Sequence, residues 1–173
     1  MSSSTTDSVR DSRLTAAVVT VSDSCARGQR ADRSGPAVAE FLEKSKFNVA
    51  LRKVVPDDPN EIKDLLIRLA RDVQLVVTTG GTGIAPRDVT PEATVAVCGR
   101  LIPGIGERMR SEGIKKTSRA VLSRAVCGVR GTTLILNLPG SPSGALESLE
   151  AVADLIPHMI DLLAGKTAHN GNV

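Results

Sequence analysis

Leu14 to Val21 reads LTAAVVTV, a near-continuous apolar run that does not alternate with charged residues and stops abruptly at Ser22-Asp23-Ser24. A strand with one wet face alternates, whereas one buried on both faces does not. The run therefore predicts a strand inside a sheet covered on both sides, with polar groups gathered at its C-terminal end. Leu75 to Thr79 (LVVTT) reads the same way, and Asn48 to Val55 (NVALRKVV) reads as a less buried strand because Arg52 and Lys53 interrupt it. Two more strands are expected between Ala125 and Leu138, flanking Arg130-Gly131.

Helix signals fall between these runs. Ser34 is a candidate N-cap ahead of Val38, Phe41 and Leu42 on one face. Asp58-Pro59-Asn60-Glu61 supplies a cap, an early proline and a glutamate at the third position, before Ile62, Leu65, Leu66 and Leu69 at helical spacing. Thr90-Pro91 repeats the cap-then-proline order, and a short helix is expected around Ile105 to Glu112 after Pro103-Gly104. After the turn Pro139-Gly140-Ser141-Pro142, one final helix is expected, with Leu146, Leu149, Val152, Ala153, Ile156, Ile160 and Leu163 as its apolar stripe. Strands alternating with helices predict a single α/β domain over 14–165, with a mainly parallel sheet and helices on both faces. The Ser/Thr-rich lead 1–13 is expected to be disordered and 166–173 a flexible tail.

Bulk composition removes several functional classes. No segment approaches the 18 apolar residues of a membrane span, and the lead lacks the apolar core of a secretory signal. Cys25, Cys98 and Cys127 are odd in number and match no zinc-ligand spacing, which suits reduced thiols in a cytoplasmic protein. With no Trp or Tyr and only Phe41 and Phe47, the chain has almost no stacking platforms for nucleic acid, and a net charge of +3 is too mild to announce it. The positive charge is local, however. Between positions 100 and 130, eight cations (Arg100, Arg108, Arg110, Lys115, Lys116, Arg119, Arg124 and Arg130) face only Glu107 and Glu112. Such a cluster is either a solvated or subunit-facing surface or a field that draws in a multiply charged anion.

In folds of this class ligands gather beyond the C-terminal ends of the strands. Four such ends carry unusual residues: Ser22-Asp23-Ser24, Asp57, the stretch Thr78 to Asp88, and Pro139-Gly140-Ser141. Gly80, Gly81 and Gly83 permit close backbone approach, so amides and the hydroxyls of Thr79 and Thr82 can face phosphate oxygens, with Arg87 the nearest guanidinium. The spacing fits neither a Walker loop nor a dinucleotide fingerprint, and Gly165-Lys166-Thr167 and Gly104-Ile105-Gly106 fail the same tests. Asp57 and Asp88 each follow a strand and precede a helix cap. Singly each reads as a turn-former; together, beside a phosphate cradle, they are what a magnesium ion requires of a protein. No nucleophilic triad is readable, since His158 and His169 lie in the last helix and the tail.

Six ordered blocks carry a family resemblance: SDS at 22–24, DRSG at 32–35, VPD at 55–57, TTGGTGIAPRDVTPEAT at 78–94, LSR at 122–124 and LNLPGSP at 136–142. They resemble the molybdopterin adenylyltransferases, the MogA-type enzymes and the G domain of animal gephyrin. The resemblance implies a three-layer α/β fold of the MogA/MoaB type that forms a homotrimer. It also implies transfer of an adenylyl group from ATP to the terminal phosphate of molybdopterin, with Mg²⁺ and release of pyrophosphate. Asp57 and Asp88 match the family's essential aspartates, expected here as catalytic and metal-holding. Ser22, Asp23, Ser24, Thr79, Gly80, Gly81, Thr82, Gly83, Arg87, Pro139, Gly140 and Ser141 are expected to bind substrate and nucleotide. A handover of product to a molybdate-inserting enzyme is implied as well. Two other readings stand beside this one: a non-catalytic molybdopterin-binding or scaffolding trimer, and a nucleotide-pyrophosphate hydrolase on the same fold.

Overall fold

A computed structural model describes residues 13–166. The expected disordered lead and flexible tail lie almost wholly outside these residues. Six strands, β1 (Thr15–Val21), β2 (Asn48–Val55), β3 (Leu75–Thr79), β4 (Arg100–Leu101), β5 (Cys127–Arg130) and β6 (Thr133–Leu138), form one sheet in the order β2-β1-β3-β6-β5-β4. The first four in that order run parallel; β5 is antiparallel to β6, and β4 is antiparallel to β5 at the far edge. β4, two residues long, has no apolar run to announce it.

Side chains alternate across the sheet and divide the core in two. Ala16, Val18, Leu75, Val77, Leu134 and Leu136 point to the face covered by α2 (Ser34–Lys44), α5 (Pro103–Ile114), α6 (Pro142–Glu150) and α7 (Ile156–Leu163). Ala17, Val19, Val76 and Ile135 point to the other face, where α3 (Pro59–Leu69) and α4 (Thr90–Val97) bring Ile62, Leu66, Ala93 and Val97. The result is the expected three-layer α/β fold. Cys127 belongs to the first face and Cys98 to the second, so the sheet itself separates them and all three cysteines are free. Burial pushes the Cys98 and Cys127 thiols up to about 11 and about 12.

The expected final helix is two helices. Leu149, Val152, Ile156, Ile160 and Leu163 of the expected stripe pack in or against the core, whereas Leu146 and Ala153 lie half-buried outside it and Ala145 takes the buried position in α6; the chain turns between α6 and α7. Pro157, in the first turn of α7, has no N–H to give, and its ring would meet the carbonyl four residues back in a continuous helix. Asp58 caps α3 as expected, accepting from the N–H groups of Asn60 and Glu61 at 2.9 and 3.0 Å. The other two cap expectations need correction. Arg33 holds the cap position of α2, with Asp32 Oδ1 accepting from Gly35 N–H at 3.0 Å; Val89 holds that of α4, and Thr90 is already helical.

One buried polar cluster ties three elements together. Asn137, fully buried on β6, donates from Nδ2 to Thr78 Oγ1 on β3 and to Thr94 Oγ1 on α4, both at 2.9 Å. These bonds fix α4 against the sheet one turn from the loop that precedes it. The chain leaves β1 toward α2 on one face and leaves β3 toward α4 on the other. A crevice must therefore open between the ends of β1 and β3, as strand order reverses there.

Candidate active site

Gly80, the first residue past β3, sits at that point with φ +101°. A Cβ on it would lie 2.2 Å from Val21 O at the end of β1, and its N–H donates to Leu138 O at the end of β6 at 3.1 Å. Gly140 completes the contact, since its own Cβ would fall 3.2 Å from Gly80 Cα. Three strand ends thus touch through backbone alone. Gly81, at φ +64°, brings the chain against Thr90 Oγ1 and Asp57 Oδ1, which its Cβ would meet at 2.4 and 3.1 Å. Thr90 locks this arrangement by donating from Oγ1 to Gly80 O at 2.9 Å.

Two cavities open on either side of the ridge made by Gly80, Gly81, Gly140 and Ser141. The larger, of about 400 Å³, is walled mainly by apolar groups, among them Met109, Ala120, Leu122, Ala125 and Pro139, with Arg110 and Arg119 on its border. The smaller, of about 350 Å³, is polar and holds Ser22, Arg30, Asp32, Arg33, Ser34 and Asp57. Gly81, Asp88, Gly140 and Ser141 line both. Asp88 therefore stands where the two cavities meet, and Asp57 faces it from the polar side.

The two carboxylates have different surroundings. Asp57 Oδ2 accepts from Asp23 N–H at 2.8 Å, and Asp57 N–H returns a bond to Asp23 Oδ1 at 3.1 Å. Burial holds the Asp57 carboxyl above its ordinary range; the nearby charges of Asp23 and Asp88 add to this, while the Asp23 N–H and Arg87 offset it in part. Asp88 Oδ2 accepts from Ala85 N–H at 2.8 Å, so Asp88 does form a turn, and its Oδ1 makes no hydrogen bond among the described residues.

The sequence-expected residues separate into those that face the crevice and those that build it. Ser22 lines the polar cavity and caps α1 (Asp23–Ala26), accepting from Cys25 N–H at 3.3 Å. Ser24 stays beside it, hydroxyl to hydroxyl at 3.2 Å, without reaching a cavity wall. Ser141 lines both cavities and caps α6 through Gly144 N–H at 3.2 Å. Thr79 borders the polar cavity, but its buried hydroxyl is committed to Pro139 O at 2.7 Å, and Thr82 and Gly83 border the apolar one. Arg87 and Asp23 pair with each other through bidentate contacts of 2.7 to 3.0 Å, and neither lines a cavity. That guanidinium holds Asp23 below the ordinary carboxylate range.

The sequence expectations leave out Arg30, which no flanking pattern marks, and Asp32 and Arg33, which lie in the DRSG block at 32–35 but carry no expected site role; the position of Asp32 three residues before Gly35 is a cap signal that Ser34 obscures. Thr20 Oγ1 donates to Asp32 Oδ2 at 2.7 Å, anchoring this segment to β1. The basic cluster of 100–130 disperses rather than forming a field. Arg110 and Arg130 bind main-chain carbonyls; Arg108, Lys115 and Lys116 pair with Asp154, Glu112 and Glu147; only Arg110 and Arg119 reach the apolar cavity.

Residues 17–158 match the model of a probable molybdopterin binding domain. A molybdopterin adenylyltransferase of Helicobacter pylori is 43% identical over 152 residues, covering 86% of each chain. The molybdopterin adenylyltransferase of Escherichia coli K12 is 39% identical over 165 residues, 86% of this chain and 84% of that one. The crystal structure of the molybdopterin biosynthesis enzyme MoaB of Thermus thermophilus superposes with a TM-score of 0.83 at 50% identity, covering 88% of this chain and 97% of that one.

The electrostatics of Asp57 generate a stability prediction. A carboxyl whose folded pKa is raised stabilises the fold below its unfolded pKa and costs stability as pH rises through the folded value. In metal-free buffer Asp57→Asn should therefore melt higher than wild type at pH 7 to 8. The gain should be about 2–4 °C for each kcal/mol of relieved burial and repulsion. It should disappear as pH falls to the ordinary carboxylate range, and thermal scans showing a lower melting point at pH 8 would contradict the assignment.

Proposed function

The chain belongs to the molybdopterin-binding domain family, and on that premise we propose that it adenylylates the terminal phosphate of molybdopterin with ATP, releasing pyrophosphate. The observation that carries this reading is the meeting of two cavities of unlike polarity at one glycine ridge, with Asp88 at the junction and Asp57 on the polar side of it. A two-substrate phosphoryl reaction needs two anionic groups brought into line at one point. The apolar cavity offers Met109 and small aliphatic surfaces to a planar heterocycle. The polar cavity offers hydroxyls and the guanidinium groups of Arg30 and Arg33 to a phosphate chain.

The attacking group is a phosphate monoester with a second pKa near 6, so it is largely a dianion at pH 7 and needs no base to activate it. The carboxylates are then free for another task. Asp57 and Asp88 present only hard oxygen donors, one of them an unshared Oδ1, and Asp57 is half-buried with no cation touching it. These features fit Mg²⁺ brought with the nucleotide, which these two residues would hold and which supplies charge neutralisation between the phosphates. Arg30 and Arg33 bind the departing pyrophosphate. Arg87, engaged by Asp23, serves the shape of the site instead. Ser22 and Ser141 offer hydroxyls, and the ridge glycines let the two phosphates approach the backbone.

A homotrimer, a cytoplasmic location and handover of the product to a molybdate-inserting enzyme complete the reading. Exposed Val95 and Leu101, 44% and 43% accessible near the β4 edge, support self-association. Light scattering should return three protomer masses, and a monomer would remove the trimer.

Incubation with molybdopterin, ATP and Mg²⁺ should yield adenylylated pterin and pyrophosphate in equal amounts, with neither formed when any component is omitted. Pyrophosphate without pterin would point to the hydrolase, and pterin bound with no turnover would point to the scaffold. Asp88→Asn should lower kcat by about 10²-fold or more while molybdopterin still binds, as expected for loss of a group acting mainly in the transition state. Replacing both Arg30 and Arg33 with Ala should raise the KM for ATP by about tenfold or more, the size expected of lost charge-assisted hydrogen bonds. An unchanged KM would return these arginines to the solvated surface.

A further inference from the structure

Arg124 lies in the link between the 3₁₀ turn Ser118–Leu122 and β5, far in sequence from Asp88. Its backbone N–H donates to Thr82 O at 2.8 Å, its Nε to Gly83 O at 2.6 Å and its Nη2 to Asp88 O at 2.7 Å; Nη1 pairs with the Glu92 carboxylate on the first turn of α4. Burial pushes Glu92 up, but Arg124 outweighs it and leaves the carboxyl below the ordinary range. One residue thus grips both ends of the loop that carries Asp88. Within the loop itself the ties are few: Asp88 N–H to Ala85 O at 2.9 Å and Ala85 N–H to Asp88 Oδ2 at 2.8 Å, while Ile84 to Arg87 are exposed.

The grip is itself anchored. Arg110 on α5 donates from Nη1 to Ser123 O and Ala125 O, each at 3.2 Å, holding the backbone on either side of Arg124. Gly106 makes room for this, since a Cβ there would lie 2.8 Å from Ala125 O. We propose that Arg124 is a positioning residue that sets the location of the Asp88 carboxylate, acting through the carbonyls of Gly83 and Asp88 and not on substrate. A planar fork can serve two diverging carbonyls and a carboxylate at once, which an ammonium on a flexible stem cannot.

The inference rests on the adenylyl-transfer reading for one of its two readouts. Arg124→Ala in the full chain should lower kcat by about 10²-fold, the cost of misplacing a reacting group by an ångström, with the KM for ATP within about threefold. Arg124→Lys should recover little of the loss, whereas added guanidinium should restore part of it in the Ala variant. Glu92→Gln, which removes one tie, should cost a few-fold in wild type and nothing further in Arg124→Ala. Independently, amide hydrogen exchange over residues 83–88 should accelerate in Arg124→Ala while the β1, β3 and β6 amides remain protected. Unchanged exchange in that segment, or full kcat recovery by lysine, would overturn the proposal. Wild-type protein that makes no adenylylated pterin would overturn the function, leaving the exchange result to decide on Arg124.

Discussion

The contact of Gly80 with the ends of β1 and β6 is the constraint from which the crevice follows. A Cβ at this position would stand 2.2 Å from a main-chain carbonyl, a clash that no rotamer relieves. With the three strand ends drawn that close, the next residue must turn sharply, and Gly81 does so beside Asp57. The loop then has to climb away from the sheet before α4 can begin, and Asp88 is carried to the top of the ridge. Asn137 and Thr90 hold the underside of this arrangement by satisfying buried polar groups that would otherwise be left unpaired.

The site's electrostatics divide into settled and unsettled charges. Arg87 and Asp23 neutralise one another at the rim, and Arg124 and Glu92 do so behind the loop. Asp57, by contrast, is bound by an N–H group and flanked by Asp23 and Asp88, with Arg87 offsetting them only in part, and Arg30 and Arg33 have no ion pair among the described residues. These charges without a balancing partner sit on the walls of the polar cavity, where a metal–phosphate group would meet them. A raised carboxylate and unpaired guanidiniums on the walls of one cavity are the kind of arrangement that clusters at functional sites.

Much of this is legible in the residues. Continuous apolar runs give away buried parallel strands, and Asp58-Pro59 marks the start of α3 without ambiguity, because cap chemistry is local. Thr90-Pro91 looks the same and is not a cap, since its hydroxyl is claimed by Gly80, a partner ten residues away that no local pattern discloses. The long apolar stripe after Leu146 hides a break at Pro157, because a turn can preserve which face is buried. Glycines of the loop read as phosphate-facing; that Gly80 also packs against the Val21 carbonyl, and Gly81 against Thr90 and Asp57, depends on what lies opposite, which no local pattern discloses. Arg124 is visible as one charge in a basic stretch and as the end of the LSR block, but what it does comes from carbonyls some forty positions earlier.

The sheet ends differently on its two sides. β4 is a two-residue stub, but β2 is a full eight-residue outer strand whose middle residues, Leu51, Arg52 and Lys53, are exposed. An open strand of that length invites a second sheet to add to it, and paired cations along it are a known deterrent. The interruption that makes NVALRKVV read as a less buried strand thus also discourages unwanted growth of the sheet at that edge. The flank where uncontrolled pairing would otherwise begin is thereby guarded.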